Sequence, residues 1–461
     1  MAKFKETTRV IVPGQTYGGI DDAVAAPVEY PPLKTPRWWW IALSIALPIA
    51  ALWLFSVFWL ITHGIGIFGN NQPVAWAYPI VNFVWWIGIG HAGTLISAVL
   101  LLFRQQWRTS INRAAEAMTL FAVVNAGLYP ILHLGRPWVF YWLVPYPNTQ
   151  GLWPQFRSPL AWDLFAIGTY ALVSLLFWYI GLVPDFATLR DRAKNSVMRW
   201  LYAILSLGWN GSAKAWQRYQ RAYLILGAVS FPLVLSVHST IALDFAVAQL
   251  PGWNNTILPP YFVAGAVFAG FAFVLILMIP LRKGYNLKHL ITINHLENSA
   301  KMMLATGMIV LYGYALELFM GWYSGVEFER YTYWSRVFGH HGWAFWLLIF
   351  FNGLMIQPLW FKKVRTNTKW LFFIAVMVSI GMWLERFVIV IVSLTTDFVP
   401  SSWGDFHATF WDRSLYFGTF GVFFTLWLLF IRLLPSIASS EMKELAHHDN
   451  LHSHGHSEVH S

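Results

Sequence analysis

The stretch WWWIALSIALPIAALWLFSVFWLIT, Trp38 to Thr62, runs for twenty-five residues without a Lys, Arg, Asp or Glu. A helix of that length rises about 37 Å, more than the roughly 30 Å of a bilayer's hydrocarbon core. A water-soluble helix keeps a polar face, whereas here apolar side chains point in every direction. Comparable runs lie near 79–103, 114–134, 159–181, 219–248, 260–281, 300–323, 342–361, 369–395 and 413–434. They predict an all-α, polytopic membrane protein with ten spans. The composition agrees, at 57% hydrophobic and 11% charged, against about 25% charged in soluble domains. The alternating pattern of a membrane barrel is absent.

The charge of +10 is distributed by side. Of the 31 Lys and Arg residues, 25 fall in the N-terminal tail, 104–113, 182–221, 282–301, 362–369 and the C-terminal end. The alternate loops hold Arg136, Arg157, Arg330, Arg336 and Arg413, and Arg386 alone lies mid-span. This is the positive-inside pattern, so both termini are expected in the cytoplasm. The basic excess then meets anionic lipid and is not a nucleic-acid patch. No cleavable signal peptide is read in the polar, Pro-punctuated residues 1–37, taken as a cytoplasmic tail. Residues 38–434 form the transmembrane domain, with 182–218 expected as an amphipathic interfacial segment. Six of fifteen His crowd into 435–461, a composition expected of a disordered tail. A weak four-span repeat is also visible. Glu116 and Glu297 open spans 3 and 7, His133 and Glu317 lie towards their outer ends, and Asp244 and Asp397 close spans 5 and 9. It predicts two four-helix bundles, spans 2–5 and 6–9, with spans 1 and 10 peripheral.

Ionisable side chains inside spans are costly and face the bundle interior. His133 ends span 3 within LHLGRPWVFYWL, and Asp163 in RSPLAWD lies one turn into span 4. Ser158 stands ready as N-cap and Pro159 suits the first helical position. Asp244 lies one turn inside the outer end of span 5. The spacing predicts a His–Asp–Asp cluster at the outer face. Each residue also has a structural reading: a carbonyl partner for His133, a helix-start acid for Asp163, a water-reaching acid for Asp244. Arg386 follows Glu385 on span 9; neighbours on a helix point about 100° apart and cannot simply neutralise each other, so Arg386 is expected to reach Asp163 or Asp244, with a merely structural ion pair as the alternative. His91, His238, Glu317 and Glu385 are proton-transfer candidates, with core hydrogen bonding as the alternative. Arg136 is expected at the interface, as a helix-end anchor or a contact for a partner. The aromatic residues around it form an interfacial belt or line a flat ligand.

Two acids and a His at one face suit a lipid-soluble molecule that exchanges protons, and a quinol releases two protons with two electrons. The electrons need an external redox subunit: there is no Cys for a cluster, and no span carries the paired His that haem requires. No metal site is expected. A secondary transporter and a purely structural anchor remain as rival readings; a b-type cytochrome is disfavoured by the missing His pairs.

The motifs WWIGIGHAGTLISA, LHLGRPWVFYWL, RSPLAWD, LRDRA and INHLENSAK resemble the NrfD-like (polysulfide-reductase type) membrane subunits. Within that group the chain is most similar to the ActC subunit of bacterial alternative complex III, over roughly residues 10–435. The resemblance implies a multi-pass protein of the bacterial inner membrane that is inactive alone. It implies a menaquinol site near the periplasmic face, formed by His133, Asp163, Asp244 and Arg386. It further implies an iron–sulfur partner (ActB-like), multihaem and monohaem cytochrome c subunits, a homologous subunit (ActF-like) and a cytochrome c or terminal haem-copper oxidase as electron acceptor. Proton translocation through half-channels is a further implied property.

Overall fold

The computed structural model describes residues 10–31 and 34–455. Among these residues it is all helical, with ten helices long and apolar enough to cross a membrane. They are Arg37–His63, Tyr78–Leu102, Asn112–His133, Pro159–Arg192, Ala213–Ala246, Leu258–Gly284, Ile293–Tyr323, Gly342–Trp360, Thr368–Val392 and Phe410–Leu433, here spans 1 to 10. Helices satisfy their own backbone groups, which is why lipid selects them. Their ends follow local chemistry. Asn367 caps span 9 by accepting from the Lys369 N–H, and Thr409 and Asp412 form a capping box on span 10. Pro159 is the first residue of span 4, and Ser158 is at the cap position, although its hydroxyl makes no capping bond.

Spans 2, 3, 4 and 5 close into one ring and spans 6, 7, 8 and 9 into another. The rings meet where spans 2 and 5 lie on span 6 and span 2 touches span 9. Span 1 pairs with span 10, which also rests on spans 2 and 3. Span 2 is the axis of the molecule: 89% of its apolar window is buried, against 17% for span 1. Small residues permit that packing. A Cβ on Gly93 runs into the Ala115 carbonyl of span 3, and one on Gly270 of span 6 runs into Ala92.

The first and last described segments gather on one side, here the termini side. Arg432 donates to the carbonyls of Pro27, Val28 and Tyr30, and helix Tyr17–Glu29 packs on helix Ser439–Gly455. That last helix occupies the segment expected as a disordered tail, and its first turns are tied down. Glu441 meets Arg108 at 2.8 Å, and Lys443 meets Asp21 at 2.6 Å. The expectation for 1–9 and 456–461 concerns positions outside the described residues. The interfacial segment 182–218 is not one helix. Span 4 continues to Arg192, a short helix covers Ser196–Leu205, and span 5 already begins at Ala213. Left-handed backbone at Leu207, Gly208 and Gly211 makes the reversal.

Candidate functional site

Spans 4 and 5 lie side by side in opposite directions, so the start of one meets the end of the other. That brings together Asp163 and Asp244, eighty-one positions apart in sequence, with their carboxyls within hydrogen-bonding reach. They are 7% and 9% exposed. Each keeps one oxygen, Oδ1, buried without a protein partner. A hydrogen bond between two carboxyls requires a proton on one of them. The cluster predicted from spacing is therefore present in its two acids. His133 ends span 3 on the same side, half-buried, with Nδ1 buried and unpartnered; no hydrogen bond or ion pair joins it to the acids. Gly135 follows with φ of 68°, and a Cβ there stands 2.8 Å from Ile65 Cβ. Glycine thus lets the LGRP turn close on the loop after span 1. Arg136 is exposed beyond it, as expected of an interfacial residue.

Arg386 corrects the sequence reading, because it reaches neither acid. Its Nη1 lies 2.9 Å from Oε1 of Glu385, the neighbour judged unable to neutralise it, though the two atoms are out of line for a hydrogen bond. The guanidinium folds over the Phe262 ring of span 6, 3.9 Å from its centroid. Gly265 makes the room, since a Cβ there comes within 3.2 Å of Arg386 Nη2. A long flexible stem and a missing side chain opposite it overcome the angular separation. Immediately after Arg386 span 9 widens into a π-helical turn, Val388–Val392, a feature frequent at functional positions.

The four proton-transfer candidates fall into two groups. His91 and His238 face each other across spans 2 and 5 with Nδ1 atoms 2.8 Å apart; both Nε2 atoms are buried and unpartnered. Rings in direct contact leave no gap for a porphyrin between them. Glu317 binds Arg336 at 2.8 Å. Burial alone pulls the Arg336 guanidinium down, but the Glu317 carboxylate overrides it and holds Arg336 above its ordinary value. Arg336, read as an outer-loop residue, is buried and also donates to Gly252 O and Ser393 Oγ. Glu385 accepts from Tyr314, which in turn accepts from Asn352 at 2.8 Å. Glu317, Glu385, Tyr261 and Tyr314 line one cavity of about 20 Å³, room for a single water.

A polar column continues from the His pair towards the termini side. Thr94 meets Ser174 at 3.0 Å, Ser97 donates to Glu116 at 2.5 Å, and Tyr223 donates to the same carboxylate at 2.8 Å. Arg113, beside Glu116, binds Asp185 at 2.9 Å. Sequence reasoning noted Glu116 only as a repeat marker. The i, i+3, i+6 spacing of His91, Thr94 and Ser97 was the available signal. Also missed was a grouping of His340, His341 and Asp405 in the far-side loops; only the adjacent His pair hinted at it.

An all-helical chain of two linked four-span rings with buried acids and imidazoles is a polytopic membrane protein, and its sequence specifies the family. The polysulphide reductase NrfD family profile matches residues 66–399, and the chain belongs to that family. It is 26% identical over 245 residues to the C-type membrane component of a candidate dimethyl sulfoxide reductase of Halobacterium salinarum, covering 53% of this chain and 51% of that protein. The chain thus spans about half the length of that relative. It is 22% identical to the C component of selenate reductase from Mesobacillus selenatarsenatis, over 65% of this chain and 69% of the relative. To the Hdr-like menaquinol oxidoreductase integral membrane subunit of Archaeoglobus fulgidus it is 21% identical, over 79% and 82%.

Proposed function

We propose that the chain is the quinol-oxidising membrane subunit of a respiratory oxidoreductase of the alternative complex III type. One observation carries this reading: a buried carboxyl pair, Asp163 and Asp244, at the far ends of adjacent spans, each acid retaining an unpartnered oxygen. A quinol that gives up two electrons also sheds two protons, and a carboxyl pair sharing one proton accepts and releases protons readily. His133 supplies an imidazole with an unpartnered Nδ1 on the same side, and the exposed aromatic residues Trp138, Trp142 and Trp162 offer flat apolar faces to a ring. The far side is the periplasmic one in this reading, because the basic loops lie with the termini. The named menaquinol oxidoreductase relative makes menaquinol the favoured substrate.

Electrons leave to an adjacent iron–sulfur subunit, since the chain has no Cys with which to hold a cluster, and pass on through cytochrome c subunits to a cytochrome c or terminal oxidase. Arg386 is assigned a supporting role, paired with Glu385 and away from the acids. The polar column from Asp185 and Glu116 through His91 and His238, and beyond Arg386 to Glu385 and Glu317, is read as a route for protons across the bilayer. The test is menaquinol-dependent reduction of cytochrome c by the purified complex carrying Asp163→Asn, with assembly and cofactor content checked. Lost turnover in an intact complex is expected. Normal turnover removes Asp163 as proton acceptor.

A further inference from the structure

Two far-side loops, one before span 8 and one before span 10, converge on a group that quinol chemistry does not use. The helix Glu327–Phe338 ends at Gly339, and the next two residues are His340 and His341. Asp405, from the loop after span 9, reaches both. Its Oδ1 lies 2.6 Å from His341 Nε2, and its Oδ2 contacts His340 Nδ1. The three ligand-type atoms all fall within 4.8 Å of one another. We propose that His340, His341 and Asp405 form a binding site for a divalent transition cation of the zinc type.

The donor set selects the metal. Two imidazoles and one carboxylate suit Zn²⁺ with a fourth position open, whereas Mg²⁺ and Ca²⁺ prefer oxygen alone. Metal–ligand bonds of about 2.0–2.1 Å place tetrahedral ligand atoms roughly 3.3 Å apart, so the three need to move by only about an ångström or so. Their supports are fixed. Asp405 is held by its carbonyl, which accepts from Asn71 Nδ2 at 2.6 Å, and by the Phe406 N–H on Oδ1 at 2.8 Å. His341 is 9% exposed and its ring stands edge-on to Phe387, centroids 5.6 Å apart. The His341 carbonyl also accepts from Ala344 N at the start of span 8. His340 is open to solvent, which gives a cation its way in. The His407 ring lies 6.4 Å from that of His340, centroid to centroid. Binding clips the two loops together on the side where Asp163 and Asp244 lie.

The site is tested with Co²⁺ on the intact complex, in a background where the six C-terminal histidines from His447 onward are replaced by Gln. One Co²⁺ per chain with visible ligand-field bands is expected, and Asp405→Asn is expected to weaken binding by on the order of 100-fold. His340→Cys provides a gain of signal that misfolding cannot imitate: this chain is otherwise free of Cys, so in the difference spectrum against the identically treated parent complex, which cancels the partner subunits' own thiolates and haems, an added thiolate-to-Co²⁺ charge-transfer band arises only if the residue is a ligand. Equal Co²⁺ affinity in the parent and Asp405→Asn, or no charge-transfer band from assembled His340→Cys, overturns the proposal and leaves a plain His–Asp ion pair.

Discussion

Replacing Arg336 by Met separates a buried ion pair from ordinary packing. The guanidinium is 2% exposed and binds Glu317 Oε1 at 2.8 Å, Gly252 O at 2.8 Å and Ser393 Oγ at 2.7 Å. Met fills similar volume but leaves Glu317, 8% exposed, charged and unpaired, with the Gly252 carbonyl short of a donor. Breaking a buried pair from one side costs about 3–5 kcal/mol. Glu317→Gln costs less, since Arg336 keeps two partners and gains an amide oxygen in place of the carboxylate. The double variant Glu317→Gln/Arg336→Met leaves no buried charge and is expected to recover about 1–3 kcal/mol of the single Arg336→Met loss. Denaturant titration of the detergent-solubilised complex, followed by Trp fluorescence, reads the three variants against the parent. An Arg336→Met loss below about 1 kcal/mol, or a double variant no better than the single, refutes the view that Arg336 exists to neutralise Glu317.

Three further outcomes are expected. His238→Gln removes a ring whose Nδ1 lies 2.8 Å from His91; if the column conducts protons, quinol turnover persists while acidification by proteoliposomes falls at least tenfold, and equal losses of both contradict the route. Gly93→Ala drives a Cβ into the Ala115 carbonyl, backbone that cannot step aside, so a destabilisation of about 1–3 kcal/mol and poor assembly are expected, read as the thermal midpoint of the solubilised complex. Glu441→Ala frees Arg108 from its 2.8 Å partner and loosens the last helix; since hydrogen bonds to charged groups contribute about 1.5–3 kcal/mol, limited proteolysis after residue 434 is expected to accelerate on the order of tenfold.

The ten spans were legible because lipid leaves only one solution for an apolar run of that length, and the ring pairing followed the acids that the repeat placed at matching ends. Asp163 and Asp244 were legible together because antiparallel neighbours bring a helix start beside a helix end. Arg386 was misread because angular separation on an ideal helix ignores the reach of a long side chain and the space that Gly265 opens on span 6. The His91–His238 contact was invisible as a pair, since which faces of spans 2 and 5 meet depends on packing that no single helix encodes. Arg336 looked like a loop charge because its partners come from span 7, the turn before span 6 and the end of span 9. Asp405 is sixty-four positions from His341, and nothing in either loop announces the other.

The most direct measurement locates the quinol itself. A photoreactive azido-quinone is cross-linked to the intact complex in native membranes, and the labelled peptides of this chain are mapped. Labelling within 133–163 or 240–250, abolished by excess menaquinol, is the predicted result. Label concentrated instead in the apolar groove of about 360 Å³ between spans 1, 6 and 10, at Trp38, Ile276 or Phe424, contradicts a quinol site at the carboxyl pair.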